Sequence, residues 1–312
     1  MRKLLERIKA GEILVADGAM GTMLMERGLN PGQAPESLNL ERPELLTEIA
    51  GFYLRAGAEI IQTNTFGGSP LKLAHYHLED KTEEVNQSAV RAVKQAVEGK
   101  AYISGSCGPS GRLLKPYGDT DPEAVYASFE RQMRALIAAG ADVICIETMT
   151  DINEAVLAVR AAKEVSAKTP LSAKTPLSAE TPLSAETPVM ATMTFDPTPR
   201  GFFTVMGVSI EQAAEELTYA GADIIGSNCG NGMEKMIAIA EEFRKKSKLP
   251  IIIQPNAGLP QLIDGKVVYP ETPEVFAEGA RRLLDLGVSI IGGCCGTTPE
   301  HIKAMRAVVK GG

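Results

Sequence analysis

The chain has 312 residues, 44% of them hydrophobic and 23% charged, an ordinary globular composition that leaves room for one large domain or two modest ones. Its net charge of −7 offers no basic face for a phosphate backbone, and the Lys/Arg clusters at 244–246 and 281–282 are scattered, so nucleic acid is not an expected partner. No stretch approaches the roughly 20 apolar residues that span a bilayer, which predicts a cytoplasmic protein without a membrane partner.

The opening residues mix Arg2, Lys3, Glu6, Arg7 and Lys9 with Leu4, Leu5 and Ile8. That is the pattern of an amphipathic helix, not the unbroken apolar core of a signal peptide. Short apolar runs then alternate with helical patterns. The strand-like runs are residues 13–16, 59–63, 102–106, 142–147, 189–195, 223–227, 250–254 and 288–292. They are rich in β-branched residues and mostly apolar throughout, as strands buried on both faces of a parallel sheet must be. Helical spacing occupies residues 44–55, 81–97, 122–139, 152–164, 210–220, 234–245, 273–286 and 299–309. Gly57, Gly140, Gly221 and Gly287 each stand between a helix and the next strand, the expected C-cap position. Eight β/α units predict an α/β fold of the (β/α)8 TIM-barrel type in a single domain over residues 1–312, with a doubly wound sheet as the alternative.

Residues 166–189 break the rhythm: SAKTPL, SAKTPL, SAETPL, SAETPV in tandem. A proline every sixth residue forbids a regular helix or central strand. The array falls between the fourth helix and the fifth strand, on the side of a barrel that faces away from the active face, and predicts an expanded loop without a catalytic part.

Residues at the C-terminal ends of barrel strands form the active face. In chain order these are 17–22, 62–67, 107–111, 147–149, 226–230, 254–258 and 292–296, so polar groups and thiols collect at one end. Of five cysteines, Cys107 and Cys145 stand alone near strand-like runs and read as small buried hydrophobes. Cys229 and the pair Cys294–Cys295 lie in glycine-rich turns after the sixth and eighth strands. Three thiolates with one open position is the ligand pattern of catalytic zinc, and Asn256, after the seventh strand, is a candidate weak, displaceable fourth ligand. Such a centre is too electron-rich to favour hydroxide formation but suits the activation of a thiol substrate. Two packed thiols with a separate structural Cys229, or a redox pair, are the competing readings, although the spacing is not C-x-x-C. His75, His77 and His301 fall on helical segments without ligand spacing.

The combination of DGAMGT (17–22), QTNTF (62–66), Glu147-Thr148, GSNC (226–229) and GGCCG (292–296) resembles the homocysteine S-methyltransferase family across nearly the whole chain. Within it, ILVADGAMGTML and QPNAGLP (254–260) look most like the N-terminal homocysteine-binding module of cobalamin-dependent methionine synthases. The resemblance implies zinc on Cys229, Cys294 and Cys295. It also implies Asp17 and Glu147 as acceptors for the substrate ammonium, and backbone amides near Gly18 and Ala19, with Thr63, as the carboxylate site. An α-amino acid needs just such an anionic partner and such donors. The hexamer array departs from the family pattern.

The resemblance allows several methyl donors. Betaine, a quaternary ammonium ion, is best held by an aromatic cage, and this chain has no Trp and only 5% aromatics. S-methylmethionine is a further alternative. Methylcobalamin on a separate domain is the expected donor, with folate- and cobalamin-binding modules as partners in cis or in trans. Two other classes remain to be separated from the enzyme: a homocysteine- or zinc-binding module without turnover, and a zinc-free lyase or aldolase, which lacks a strand-end lysine for a Schiff base.

Overall fold

The strand-like runs pair side by side in parallel, each covered by the helix that follows it. The computed structural model describes residues 2–30, 32–168, 186–263 and 266–311. Among them, eight strands form the main sheet: β1 (Leu14–Val15), β2 (Ile60–Gln62), β3 (Tyr102–Cys107), β4 (Val143–Met149), β5 (Val189–Met193), β6 (Ile224–Asn228), β7 (Ile251–Gln254) and β8 (Ile290–Ile291). Their order is β1-β8-β7-β6-β5-β4-β3-β2. A parallel bridge from Ala16 to Ile60 joins the two edges, closing the sheet into a barrel. The helices following each strand are α1 (Pro43–Ala56), α2 (Thr82–Val97), α3 (Pro122–Ala139), α4 (Ile152–Lys168), α5 (Ile210–Ala220), α6 (Met233–Lys246), α7 (Pro273–Asp285) and α8 (Pro299–Lys310). The fold is the (β/α)8 TIM barrel.

Alternation along each strand builds two cores. Inward positions Leu14, Ile60, Tyr102, Val143, Cys145, Met190, Ile224, Ile252 and Ile290 fill the barrel and meet Leu4 and Ile8 of the opening helix Leu4–Lys9. Outward neighbours such as Ile61, Ile144, Ile225 and Ile253 pack against helix residues including Tyr53, Phe129, Phe243 and Phe276. Both strand faces are dry, which is why the strands read as unbroken apolar runs. The opening helix is tied across the N-terminal mouth by Arg7, paired with Glu59 at 2.6 Å and with Glu12 at 2.8 Å. Glu59 also reaches Lys310 of α8 at 3.2 Å. Among the described residues no helix is long and apolar enough to cross a membrane.

Four departures from the sequence reading have local causes. Residues Ser166–Lys168 belong to α4 rather than to the predicted loop, because the first proline of the array stands only at 170. Residues 169–185 of the array lie outside the described residues, and its last four, 186–189, lead into β5, which Val189 opens. The last barrel strand shrinks to Ile290–Ile291, since Val288 N–H bonds back to Leu283 O at 3.1 Å and Gly293 N–H leaves the ladder for Asp17 O at 2.9 Å. His77 is not helical; it follows a 3₁₀ turn with φ 57°. Two antiparallel hairpins, Asp196–Thr198 with Gly201–Phe203 and Gln261–Ile263 with Lys266–Val268, rise after β5 and β7 without having been anticipated.

Candidate metal centre

Towards the C-terminal end of the barrel the inward positions change from aliphatic to polar: Ser104, Ser106, Glu147, Thr192, Asn228 and Gln254, all buried. Above them, the loops after β1, β6, β7 and β8 are laced by backbone hydrogen bonds. Cys229 N–H donates to Gln254 O at 3.1 Å, Cys294 N–H to Pro255 O at 2.8 Å, Ala257 N–H to Cys295 O at 2.9 Å, and Gly293 N–H to Asp17 O at 2.9 Å. Thr297 caps this lacing: its hydroxyl donates to Cys294 O at 2.7 Å and accepts the Ala19 N–H at 3.1 Å. Gly18 has no alternative here, because a Cβ would come within 2.5 Å of the Thr297 hydroxyl.

This lacing brings three sulfurs together. Cys229 takes a left-handed backbone, φ 62°, which costs a non-glycine residue about 1–3 kcal/mol. The Sγ atoms of Cys229, Cys294 and Cys295 all lie within 4.8 Å of one another, the metal-capable cluster found among the described residues. Cys229 and Cys295 stand 3.9 Å apart. Tetrahedral zinc with bonds of about 2.3 Å requires sulfurs about 3.8 Å apart. The thiols are free. Hydrogen bonds from Cys294 and then Cys295 hold the Cys229 thiol far below its usual range, while the same contacts push Cys294 and Cys295 up. Charge in the bare cluster thus gathers on Cys229, and a cation bound there would favour the thiolate form of all three. Asn256 adds to the lowering of Cys229, and its buried Oδ1 has no hydrogen-bond partner among the described residues.

Two buried carboxyl groups face the same space. Asp17 Oδ2 accepts the Gln62 N–H at 2.8 Å, while Oδ1 has no partner among the described residues. Burial, with the Glu147 charge nearby, pushes the Asp17 pKa up to about 8. Glu147 accepts from the Ser106 hydroxyl and, at 3.2 Å, from Asn228 Nδ2. Burial raises it to about 7. Each acid lacks the cation that would favour its charged form. Thr63 is buried beside them, but its hydroxyl already accepts the Ser106 N–H at 3.2 Å and lies 2.6 Å from Thr65 Oγ1. Cys107 and Cys145 are fully buried and outside the cluster, with Cys107 donating to Gln132 Oε1 at 3.2 Å. His301 is occupied in the α8 capping box and against Glu271 O at 2.9 Å.

Asn228, Thr297 and Tyr269 belong to this neighbourhood; Asn228 stands in the GSNC motif but drew no assigned role from the sequence, and Thr297 and Tyr269 escaped the sequence reading. The Tyr269 ring covers Gly296, and its hydroxyl, already raised by burial, is raised further by Cys295. Thr297 directly follows GGCCG, a position that could have drawn attention; Tyr269 lies beyond an unanticipated hairpin and carried no signal.

The profile of the family described as homocysteine S-methyltransferase matches residues 14–309. Methionine synthases of Mycobacterium leprae (strain TN) and Mycobacterium tuberculosis (strain ATCC 25618 / H37Rv) are 32% and 31% identical, over 98% and 95% of this chain. The alignments cover 25% and 24% of those proteins, so the chain spans about a quarter of their length. Among solved structures, the homocysteine methyltransferase MmuM of Escherichia coli in its metallated form superposes with a TM-score of 0.74 at 25% identity, over 97% of this chain and 99% of that one. Its oxidized form gives 0.71 at 26% identity, over 95% of each chain.

Proposed function

The chain belongs to the homocysteine S-methyltransferase family, and from that premise we propose that it binds zinc through Cys229, Cys294 and Cys295 and prepares homocysteine for methylation at sulfur to give methionine. The observation that carries this reading is the convergence of three sulfurs within 4.8 Å beside two buried, uncompensated carboxyl groups. The donor set fits zinc, and the orphaned Asn256 Oδ1 would offer the ion a weak, displaceable oxygen. When bound, zinc lowers the pKa of a substrate thiol, so that a thiolate nucleophile is available at neutral pH.

The chain's own residues supply binding and orientation. Asp17 and Glu147 receive the substrate ammonium, whose charge replaces the solvation that burial removed and returns both carboxyls to their ionised forms. The carboxylate is assigned to the backbone at Gly18 and Ala19, with Thr63. Because Ala19 N–H and the Thr63 hydroxyl already have partners, its arrival exchanges those bonds rather than filling vacant donors. No general acid is assigned at sulfur, and none is required for a thioether product.

The methyl donor is assigned as methylcobalamin presented by a separate domain, in cis or in trans. The absence of Trp weighs against a quaternary-ammonium cage. The chain's span of about a quarter of its methionine synthase relatives is consistent with donor modules elsewhere. The test is zinc quantification on wild type and Cys229→Ser, with homocysteine affinity measured on both. Metal and thiol binding should fall together; stoichiometric zinc in the variant would contradict the ligand assignment.

A further inference from the structure

Asn228 ends β6, is fully buried, and sits between the two halves of the site. Its Oδ1 accepts from Thr148 N–H at 2.7 Å and from the Thr192 hydroxyl at 2.7 Å. Its Nδ2 donates to the Thr148 hydroxyl at 2.8 Å and to Glu147 Oε2 at 3.2 Å, and lies 3.9 Å from Cys294 Sγ. One carboxamide therefore touches the ammonium acceptor on β4 and a sulfur of the cluster, and its own backbone leads directly into Cys229. Thr148 is itself left-handed, φ 59°, and both its N–H and its hydroxyl rest on Asn228. Two strained backbone positions, Thr148 and Cys229, thus flank Glu147 and Asn228 and meet through this side chain. A bare β6 terminus with a small apolar residue would leave Glu147 Oε2 without its amide donor and Thr148 without its anchor.

We infer that Asn228 is a positioning residue that sets the separation between the α-amino anchor at Glu147 and the sulfur cluster, and so selects a thiol whose amine stands at the homocysteine spacing. The inference rests on the proposed function. It concerns geometry between two subsites, so its effect should appear only in ligands that use both. L-homocysteine does; 4-sulfanylbutanoate, the same chain without the amine, uses the sulfur subsite but not Glu147.

The experiment is calorimetric titration of the zinc-loaded chain with each thiol, for wild type, Asn228→Ala, Glu147→Gln and the double variant, with zinc content measured on each. Asn228→Ala should keep its zinc, weaken L-homocysteine at least tenfold and leave 4-sulfanylbutanoate within twofold. In the Glu147→Gln background, the same substitution should add less than twofold. Equal losses for both thiols, unchanged homocysteine affinity, or independent losses in the double variant overturn the inference. If Asn228→Ala does not fold or hold zinc, Thr192→Val removes one hydroxyl from the clamp at nearly constant volume. It should weaken homocysteine about threefold with 4-sulfanylbutanoate unchanged, and a variant with wild-type discrimination overturns the inference. Wild type that binds neither thiol instead overturns the proposed function. Wild type that binds homocysteine and is sensitive at Glu147 but not at Asn228 or Thr192 overturns the positioning role alone.

Discussion

Replacing Asp17 with Asn should stabilise the folded chain while weakening its ligand binding, and the gain should grow with pH. Asp17 is 1% exposed, with one oxygen bonded to Gln62 N–H and the other unpartnered among the described residues. Its pKa rises from an ordinary 3.8 to about 8, chiefly through burial. Between those values the unfolded chain has released a proton that the folded chain retains, so folding stability falls as pH rises through the interval and levels off above about 8. At pH 7 the gap is about three pH units, which at about 1.4 kcal/mol each sets a ceiling of about 4 kcal/mol. An effective dielectric constant well above that of a dry interior reduces this, leaving about 1–2 kcal/mol. Asn keeps an acceptor for Gln62 N–H and carries no charge to desolvate, so Asp17→Asn should raise Tm by about 2–5 °C at pH 8 and by almost nothing at pH 4. Scanning calorimetry of both zinc-loaded proteins at several pH values measures this, and titration on the same samples should find homocysteine binding impaired. A Tm difference that does not vary with pH, or a variant less stable at pH 8, would refute the assignment of Asp17 as a carboxyl left uncompensated for a ligand.

At Gly296, φ 79° and a Cβ position 2.1 Å from Tyr269 Cγ leave no room for a side chain, so Gly296→Ala should cost about 2–4 kcal/mol in urea unfolding and displace Tyr269 from the cluster. Leu4→Ala removes a buried side chain from the plug at the opposite mouth. It should cost about 2–4 kcal/mol by the same assay while zinc stoichiometry and homocysteine affinity stay unchanged, since the plug and the metal centre occupy opposite ends of one barrel.

The fold was legible because its grammar is local. Runs such as residues 251–253 are buried on both faces and read as apolar throughout, and Gly57, Gly140 and Gly221 end α1, α3 and α5 in left-handed backbone where the sequence marked them. The sulfurs were legible because glycine-flanked cysteines at two strand ends have few other uses. The missed hairpin after β7 did carry a signal, the Asp264-Gly265 pair between two apolar stretches, but its strands are three residues each, too short for periodicity to register. Asn228 stands in the GSNC motif, but its bridging role was not readable: its partners Thr148 and Thr192 lie 80 and 36 residues away, and nothing in its own neighbourhood announces them. Thr63, by contrast, enters through the family resemblance, and its hydroxyl is engaged with its own barrel wall.

The cradle of the sulfurs straddles the place where the first and last strands meet, with Gly293 N–H bonded to Asp17 O across that junction. Cys229 leaves the ribosome well before Cys294 and Cys295, and the wall on which all three depend is shut only when β8 slots in beside β1. A metal ion held by all three would therefore have to wait for closure: a nascent polypeptide offers one sulfur, and a full set arrives only with a finished ring.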